Sequence, residues 1–357
     1  MDHTTGSGSE ASGMFSSDDL RAALGPLALL VDDPAVTDVL VNGAAGVWCD
    51  RGAGVEPAGV ALADERSARR LAIRLAALAG QRLDESSPWV DGQLPGGLRL
   101  HAVLPPLVGG GAHLSLRVPR RQVPSLADLV RWGTVDRSGA EVLEAVVRSR
   151  VSFVVSGGTG SGKTTLLGVL LSRCPGAERL VVVEDVRELR VDHPHVVHLQ
   201  GRTNNVEGRG EVTLTTLVRQ SLRMRPDRVV VGEVRGAEVR ELLTALNTGH
   251  EGGCGTVHAN ATTDVVARFE ALGALAGMPA EAVHTQLASA IQLVVHVVRD
   301  VGGRRVSELA VLRRDSSGAV SGVPALTRQG TTWVRGTGWP ELSDRLGLNP
   351  SPRTRPC

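Results

Sequence analysis

Residues 151–165, VSFVVSGGTGSGKTT, combine the side-chain types and the spacing that phosphate chemistry requires. An apolar β-branched run over 151–155 breaks at Ser156 into glycines, and an apolar helical pattern resumes at Leu166. Gly157, Gly162, Lys163 and Thr164 satisfy G-x-x-x-x-G-K-[ST] in the strand–loop–helix setting that the motif needs. Across Gly157, Gly158, Thr159, Gly160, Ser161 and Gly162, bulky side chains are absent. Successive backbone N–H groups can therefore wrap a β-phosphate, with the positive end of the next helix behind them. Lys163 supplies a point charge for the β- and γ-phosphates, the Thr164 hydroxyl is placed to ligate Mg²⁺, and Thr165 completes the binding run. Lys163 is also the only lysine among 39 Lys and Arg residues. The chain uses arginine everywhere else and keeps a compact ammonium where a planar guanidinium would not fit the task.

A site of this kind needs acidic groups at the C-terminal ends of neighbouring strands. The strand at 180–183 runs into Glu184-Asp185, with Glu188 one turn on, and the strand at 228–231 runs into Gly232-Glu233. Glu233 is the candidate to hold Mg²⁺ through water, and Glu184 the candidate to polarise the lytic water. A third strand ends at Thr256-Val257-His258, where a neutral imidazole can sense the γ-phosphate, whereas His250 by itself reads as a loop residue. Arg117, Arg219, Arg223 and Arg225 offer planar donors that can neutralise charge on a γ-phosphate, in cis or from a neighbouring subunit. Surface salt bridging is the competing reading of each. Asp192, His193, His195 and His198 cluster beside Pro194 without helical spacing, which speaks against a metal site.

Composition narrows the partners. A chain of 357 residues with 42% hydrophobic content has room for two cores, and its net charge of +1 gives no global attraction to nucleic acid or anionic membrane. Three Phe, five Trp and no Tyr make a poor base-stacking platform. The cysteines, Cys49, Cys174, Cys254 and Cys357, have neither zinc spacing nor the look of a disulfide framework. The start of the chain lacks a basic signal-peptide region, and apolar runs such as 22–31 are too short to span a bilayer. A cytoplasmic protein that reaches a membrane through a partner is expected.

The elements that must position these residues divide the chain. Residues 1–17 read as a disordered polar tail. An α+β domain over 18–118 holds a helix at 18–31, strands at 36–41 and 47–49 around an Asn42-Gly43 turn, an amphipathic helix at 65–79, and strands at 98–104 and 113–118. The arginines of that helix, Arg66, Arg70 and Arg74, read as a solvated face. Two prolines bracket a linker at 119–124. Over 125–340, near-continuous apolar strands alternate with helices, indicating an α/β domain with a parallel sheet covered on both faces. Segments 291–298 and 305–312 and a strand or two before Trp333 read as an antiparallel addition, and 341–357 as a loose tail.

Gly157–Thr165, Glu184-Asp185 with Glu188-Leu189, LRMRPDRVVVGE at 222–233, and TGHEGGCGTVHAN at 248–260 resemble the Walker A, Asp box, atypical Walker B and His box of the type II/IV secretion ATPases. The runs 196–235, 37–48 and 99–105 resemble the CpaF/TadA-type branch that drives tight-adherence (Flp) pilus assembly. The resemblance implies a RecA-like P-loop NTPase domain preceded by a smaller, PAS-like α+β domain. It also implies a homo-hexameric ATP- and Mg²⁺-dependent motor on integral inner-membrane platform proteins of a pilus or secretion apparatus. By the same resemblance Arg99 and Arg117 reach the phosphates, Arg202, Arg223 and Arg225 line the site, Glu184 and Glu233 take the acidic roles and His258 the His-box role. Cys254 departs from the small residue common in that box, and the zinc module of the type II branch is absent. A nucleic-acid translocase, including a conjugation-associated one, is the main alternative; direct nucleic-acid binding is not expected, given the charge and the few aromatics. A guanine-specific Asn-Lys-x-Asp loop would need a second lysine.

Overall fold

The computed structural model describes residues 17–52, 54–119, 123–202, 210–300 and 302–348. Residues 120–122 of the expected linker, and the expected N-terminal tail apart from its last residue, lie outside the described residues. The chain divides into two compact units, Met1–Gln122 and Val123–Cys357.

The first unit opens with helices α1, Ser17–Leu24, and α2, Ala28–Asp32. The single helix expected at 18–31 is interrupted because Gly25 adopts φ +54° just before Pro26. Strands β1 (Asp38–Asn42), β2 (Val47–Asp50) and β3 (Val55–Pro57) precede helix α3 (Glu65–Leu78), and β4 (Trp89–Gln93), β5 (Arg99–Val103) and β6 (His113–Arg117) follow it. The sheet order is β3-β2-β1-β6-β5-β4 and every pairing is antiparallel. Asp64 caps α3 by accepting from Ser67 N at 2.7 Å, and Ala68, Leu71, Ala72 and Leu75 bury the apolar stripe. Strands β3 and β4 are edge strands of mixed polarity, with Trp89 57% exposed, so alternation did not reveal them.

The second unit contains α4 (Leu126–Arg131), α5 (Arg137–Arg148), β7 (Phe153–Gly157), α6 (Lys163–Leu171), β8 (Leu180–Glu184), β9 (Val196–Gln200), α7 (Leu214–Ser221), β10 (Arg228–Val231) and α8 (Val239–Leu246). Then come β11 (Cys254–His258), α9 (Asp264–Leu275), α10 (Ala280–Ala290), β12 (Leu293–Asp300), β13 (Gly303–Arg314), β14 (Val320–Gln329), β15 (Thr332–Arg335) and α11 (Trp339–Arg345). One nine-stranded sheet runs β15-β14-β13-β12-β7-β11-β10-β8-β9. Helices cover both faces. Phe153 and Val155 pack with Leu143, Leu166 and Leu170 on one side, while Val154 packs with Leu242 and Phe269 on the other. This double burial explains why the strands read as continuous apolar runs.

Two expectations are corrected. Segment 291–298 is not part of an antiparallel addition: β12 runs parallel to β7, and the antiparallel run starts at β13. A parallel neighbour needs a crossover, and α10, unrecognised in the sequence behind its interspersed His284, Thr285 and Gln286, completes it. The loose tail from 341 is also revised, because α11 forms there and buries Leu342, with Leu346 just beyond it; residues 349–357 lie outside the described residues.

Candidate nucleotide site

Three adjacent parallel strands, β7, β11 and β10, end at the same edge of the sheet, and each leads to one candidate side chain. Gly157 closes β7 with φ +152°, and a Cβ there would lie 2.2 Å from the Val297 carbonyl oxygen of β12, so only glycine fits. The loop turns through Gly160 at φ +69° and Gly162 at φ +99° before Lys163 starts α6. Gly158, Thr159 and Gly160 are exposed, Gly162 and Thr164 half-buried, Thr165 exposed.

Lys163 is buried. Its Nζ donates to Gly157 O at 3.0 Å and Gly158 O at 2.8 Å and lies 3.4 Å from Nδ1 of His258. On the far side of the ring, His258 Nε2 lies 2.9 Å from Oε1 of Glu233. These partners fix a neutral tautomer: Nδ1 accepts from the ammonium and Nε2–H donates to the carboxylate. Burial holds the Lys163 ammonium below its ordinary pKa, with the Glu233 charge opposing. Burial, and then the Lys163 charge, hold His258 below the ordinary imidazole value of 6.5.

The turn carrying Glu233 is clamped by Thr256 of β11. Its hydroxyl donates to Gly232 O at 2.7 Å, and its carbonyl accepts from Val234 N at 2.8 Å. Glu184, at the end of β8, behaves differently. It is 5% exposed, and its Oε1 accepts from the backbone N–H groups of Glu188 at 3.0 Å and Leu189 at 2.8 Å. Its side chain lies over Gly232, where a Cβ would stand 2.5 Å from Glu184 Cγ. The glycine before Glu233 thus makes room for the other acid. His198 Nδ1 is 3.7 Å from Glu184 Oε2.

Within the second unit, the expected arginines have local settings of their own. Arg202 donates to Gly210 O at 2.6 Å, Arg223 donates to Arg219 O at 3.2 Å, and Arg225 ends the Leu222–Met224 turn with φ +52°. Arg219 is tied to Glu241 at 2.5 Å, bracing α7 against α8. In the first unit, Arg99 and Arg117 are direct cross-strand partners, and Arg117 lies 3.5 Å from Asp38. His250 bonds the Ala245 carbonyl, and His193 and His195 turn to Pro175 O and Arg179 respectively. Two features escaped the sequence reading. His296 of β12, buried, meets Ser156 Oγ at 2.8 Å directly under the loop. Arg304 of β13 donates Nε to Gly160 O at 3.0 Å. They come from β12, which the tertiary fold sets beside β7, and from β13, the next strand out.

The residues fit a phosphate-bearing ligand. Ser161 Oγ is buried in the loop without a hydrogen-bond partner among the described residues, and the hydrogen bonds of Lys163 run to two carbonyls and a ring nitrogen. A polyphosphate would give the Ser161 hydroxyl a partner and the Lys163 ammonium, hydrogen-bonded only to neutral groups, an anionic one.

A family model described as "Type II/IV secretion system protein" matches residues 21–322. A putative conjugal transfer protein of Mycobacterium tuberculosis is 54% identical over 297 residues, covering 81% of this chain and 84% of the relative. A probable conjugal transfer protein TrbB of Sinorhizobium fredii is 35% identical, covering 84% and 90%. Among solved structures, the pilus retraction motor PilT with bound ADP superposes with a TM-score of 0.59 at 21% identity, covering 81% of this chain and 83% of that one. That likeness bears on the fold: a RecA-like core preceded by an N-terminal domain.

Proposed function

This chain belongs to the type II/IV secretion system protein family and is one of its ATPases, and from that premise we propose a specific division of labour at the site. Lys163 and the amides of 157–162 hold the triphosphate, with Thr164 and Thr165 at the start of α6. Thr164 and Glu233 are the residues that would hold Mg²⁺, which when bound neutralises charge on the phosphate oxygens. His258, neutral and linked to both Lys163 and Glu233, couples occupancy of the γ-phosphate position to the acid.

The two acids exchange the emphasis given to them by the sequence. Glu233 is 37% exposed and can reach a water, so it is the acid that polarises the nucleophile; Glu184 is buried and half engaged by its own loop, so it positions residues 185–189 and backs the Glu233 turn. Arg99, Arg117, Arg202, Arg223 and Arg225 are proposed to act on the phosphates in a homo-hexameric ring. The ring would work at the inner face of the plasma membrane on integral platform proteins. Among the described residues no helix is long and apolar enough to cross a membrane, which fits attachment through partners. The motif resemblance favours Flp-type pilus assembly, and the names of the relatives favour a conjugal-transfer apparatus; one motor chemistry serves either. The observation carrying this reading is the line Lys163–His258–Glu233 across three adjacent strand ends. Steady-state ATP hydrolysis by the wild type, Lys163→Ala and Glu233→Gln tests it: hydrolysis near the wild-type rate in either variant overturns it.

A further inference from the structure

The hairpin of β12 and β13 passes along the outside of the phosphate loop. Gly157 pairs with Val297, and the space a Cβ would need at Gly157 is taken by the Val297 carbonyl, so β12 abuts the base of the loop. Farther along, Arg299 and Arg304 are direct cross-strand partners. Arg304 bonds the Gly160 carbonyl and its Cδ lies 3.1 Å from where a Gly162 Cβ would stand, while Arg299 Nη1 lies 3.5 Å from the corresponding point at Gly160. Both exposed guanidinium side chains therefore rest on residues 160–162.

We propose that this hairpin is the outer wall of the nucleotide site: Arg304 is a positioning residue for the phosphate loop, and Arg299 supplies a cation to the phosphates of a bound nucleoside di- or triphosphate. The inference rests on the nucleotide reading above. In a trans peptide the C=O and the next N–H point in opposite directions. Holding the Gly160 carbonyl outward turns the Ser161 N–H into the loop, where its bond to Gly158 O is long, at 3.4 Å. An anion inside the loop would find that donor already aimed. Gly160 and Gly162 both sit at positive φ, so little in the loop's own side chains fixes this geometry and an external strut is needed. The chemistry of the pair agrees: two guanidinium groups on cross-strand partners can each donate to a polyphosphate beside them.

The test is isothermal titration of MgADP into full-length wild type, Arg304→Ala, Arg304→Lys, Arg299→Gln and Lys163→Ala, with KM and kcat for ATP and the nucleotide-free melting temperature of each. Arg304→Ala should weaken MgADP about tenfold, with the loss falling on KM more than on kcat. Arg304→Lys should recover little, since it keeps the charge but lacks the Nε donor. Arg299→Gln should weaken binding about threefold and flatten its salt dependence. Wild-type affinity in both Arg304→Ala and Arg299→Gln, or full recovery by Arg304→Lys, overturns the inference. If Arg304→Ala fails to fold, Arg304→Lys and Arg299→Gln carry the test on the same terms. A wild type that takes up no MgADP refutes the nucleotide reading itself. A wild type that binds where Lys163→Ala does not, beside unimpaired hairpin variants, refutes only the hairpin.

Discussion

The ends of β8 and β10 look alike on paper and differ in the folded chain. Each apolar strand runs into a glutamate, Glu184 directly and Glu233 after one glycine. Glu184 turns inward, gives one oxygen to two backbone N–H groups and is 5% exposed. Glu233 stands on a turn held by Thr256, is 37% exposed and meets His258. The single intervening residue accounts for the difference: Gly232, lacking a side chain, lets Glu184 lie across it and leaves the outer position to Glu233. One acid organises backbone, and the other is available for chemistry.

The largest effect that bears on this contrast is at the cation common to it. Lys163→Ala should abolish nucleotide binding by calorimetry and reduce hydrolysis to background, because the ammonium cannot be replaced by loop amides alone. Next, Glu233→Gln should lower kcat by about 10²–10⁴-fold while MgADP still binds and the melting temperature is unchanged, as expected for loss of an acid–base group. Glu184→Ala should behave in the opposite sense. The buried Leu189 N–H loses its acceptor at about 1–3 kcal/mol and the part-buried Glu188 N–H at less, since water can reach it, and a domain of this size loses about 2–4 °C in melting temperature per kcal/mol. Calorimetric melting that leaves Glu184→Ala as stable as the wild type, with turnover as low as in Glu233→Gln, would make the two acids equivalent and break the contrast.

The smallest effect is a pH dependence of stability at the loop's underside. Burial keeps His296 below the ordinary value of 6.5. The unfolded chain therefore takes up that proton first as pH falls, so stability is fully present above about pH 6.5 and declines below it, until the folded group also titrates. His296→Asn should flatten the fall in melting temperature across that window. An unchanged slope would show that other groups set it.

Much of the second unit could be read directly. A glycine-rich loop between a β-branched run and a helix has few foldable alternatives, and strands buried on both faces announce themselves by continuous apolarity, as at 180–183 and 228–231. Strand β12 and helix α10 could not be assigned in the same way, because an apolar run does not state its direction and a crossover helix with polar residues among its apolar ones shows only a weak period. Edge strands β3 and β4 were hidden for a related reason, since an exposed strand needs no alternation.

The sequence by itself marked the residues proposed to bind phosphate: Lys163, the glycine-rich run before it and the hydroxyl after it are consecutive, so their mutual geometry is local. Only the tertiary structure decided which acid faces solvent, that His258 bridges Lys163 to Glu233, and that Arg304 and His296 abut the loop from strands more than a hundred residues away. Those relations depend on strand order and on a missing Cβ at Gly232, and neither is encoded in the spacing of residues along the chain.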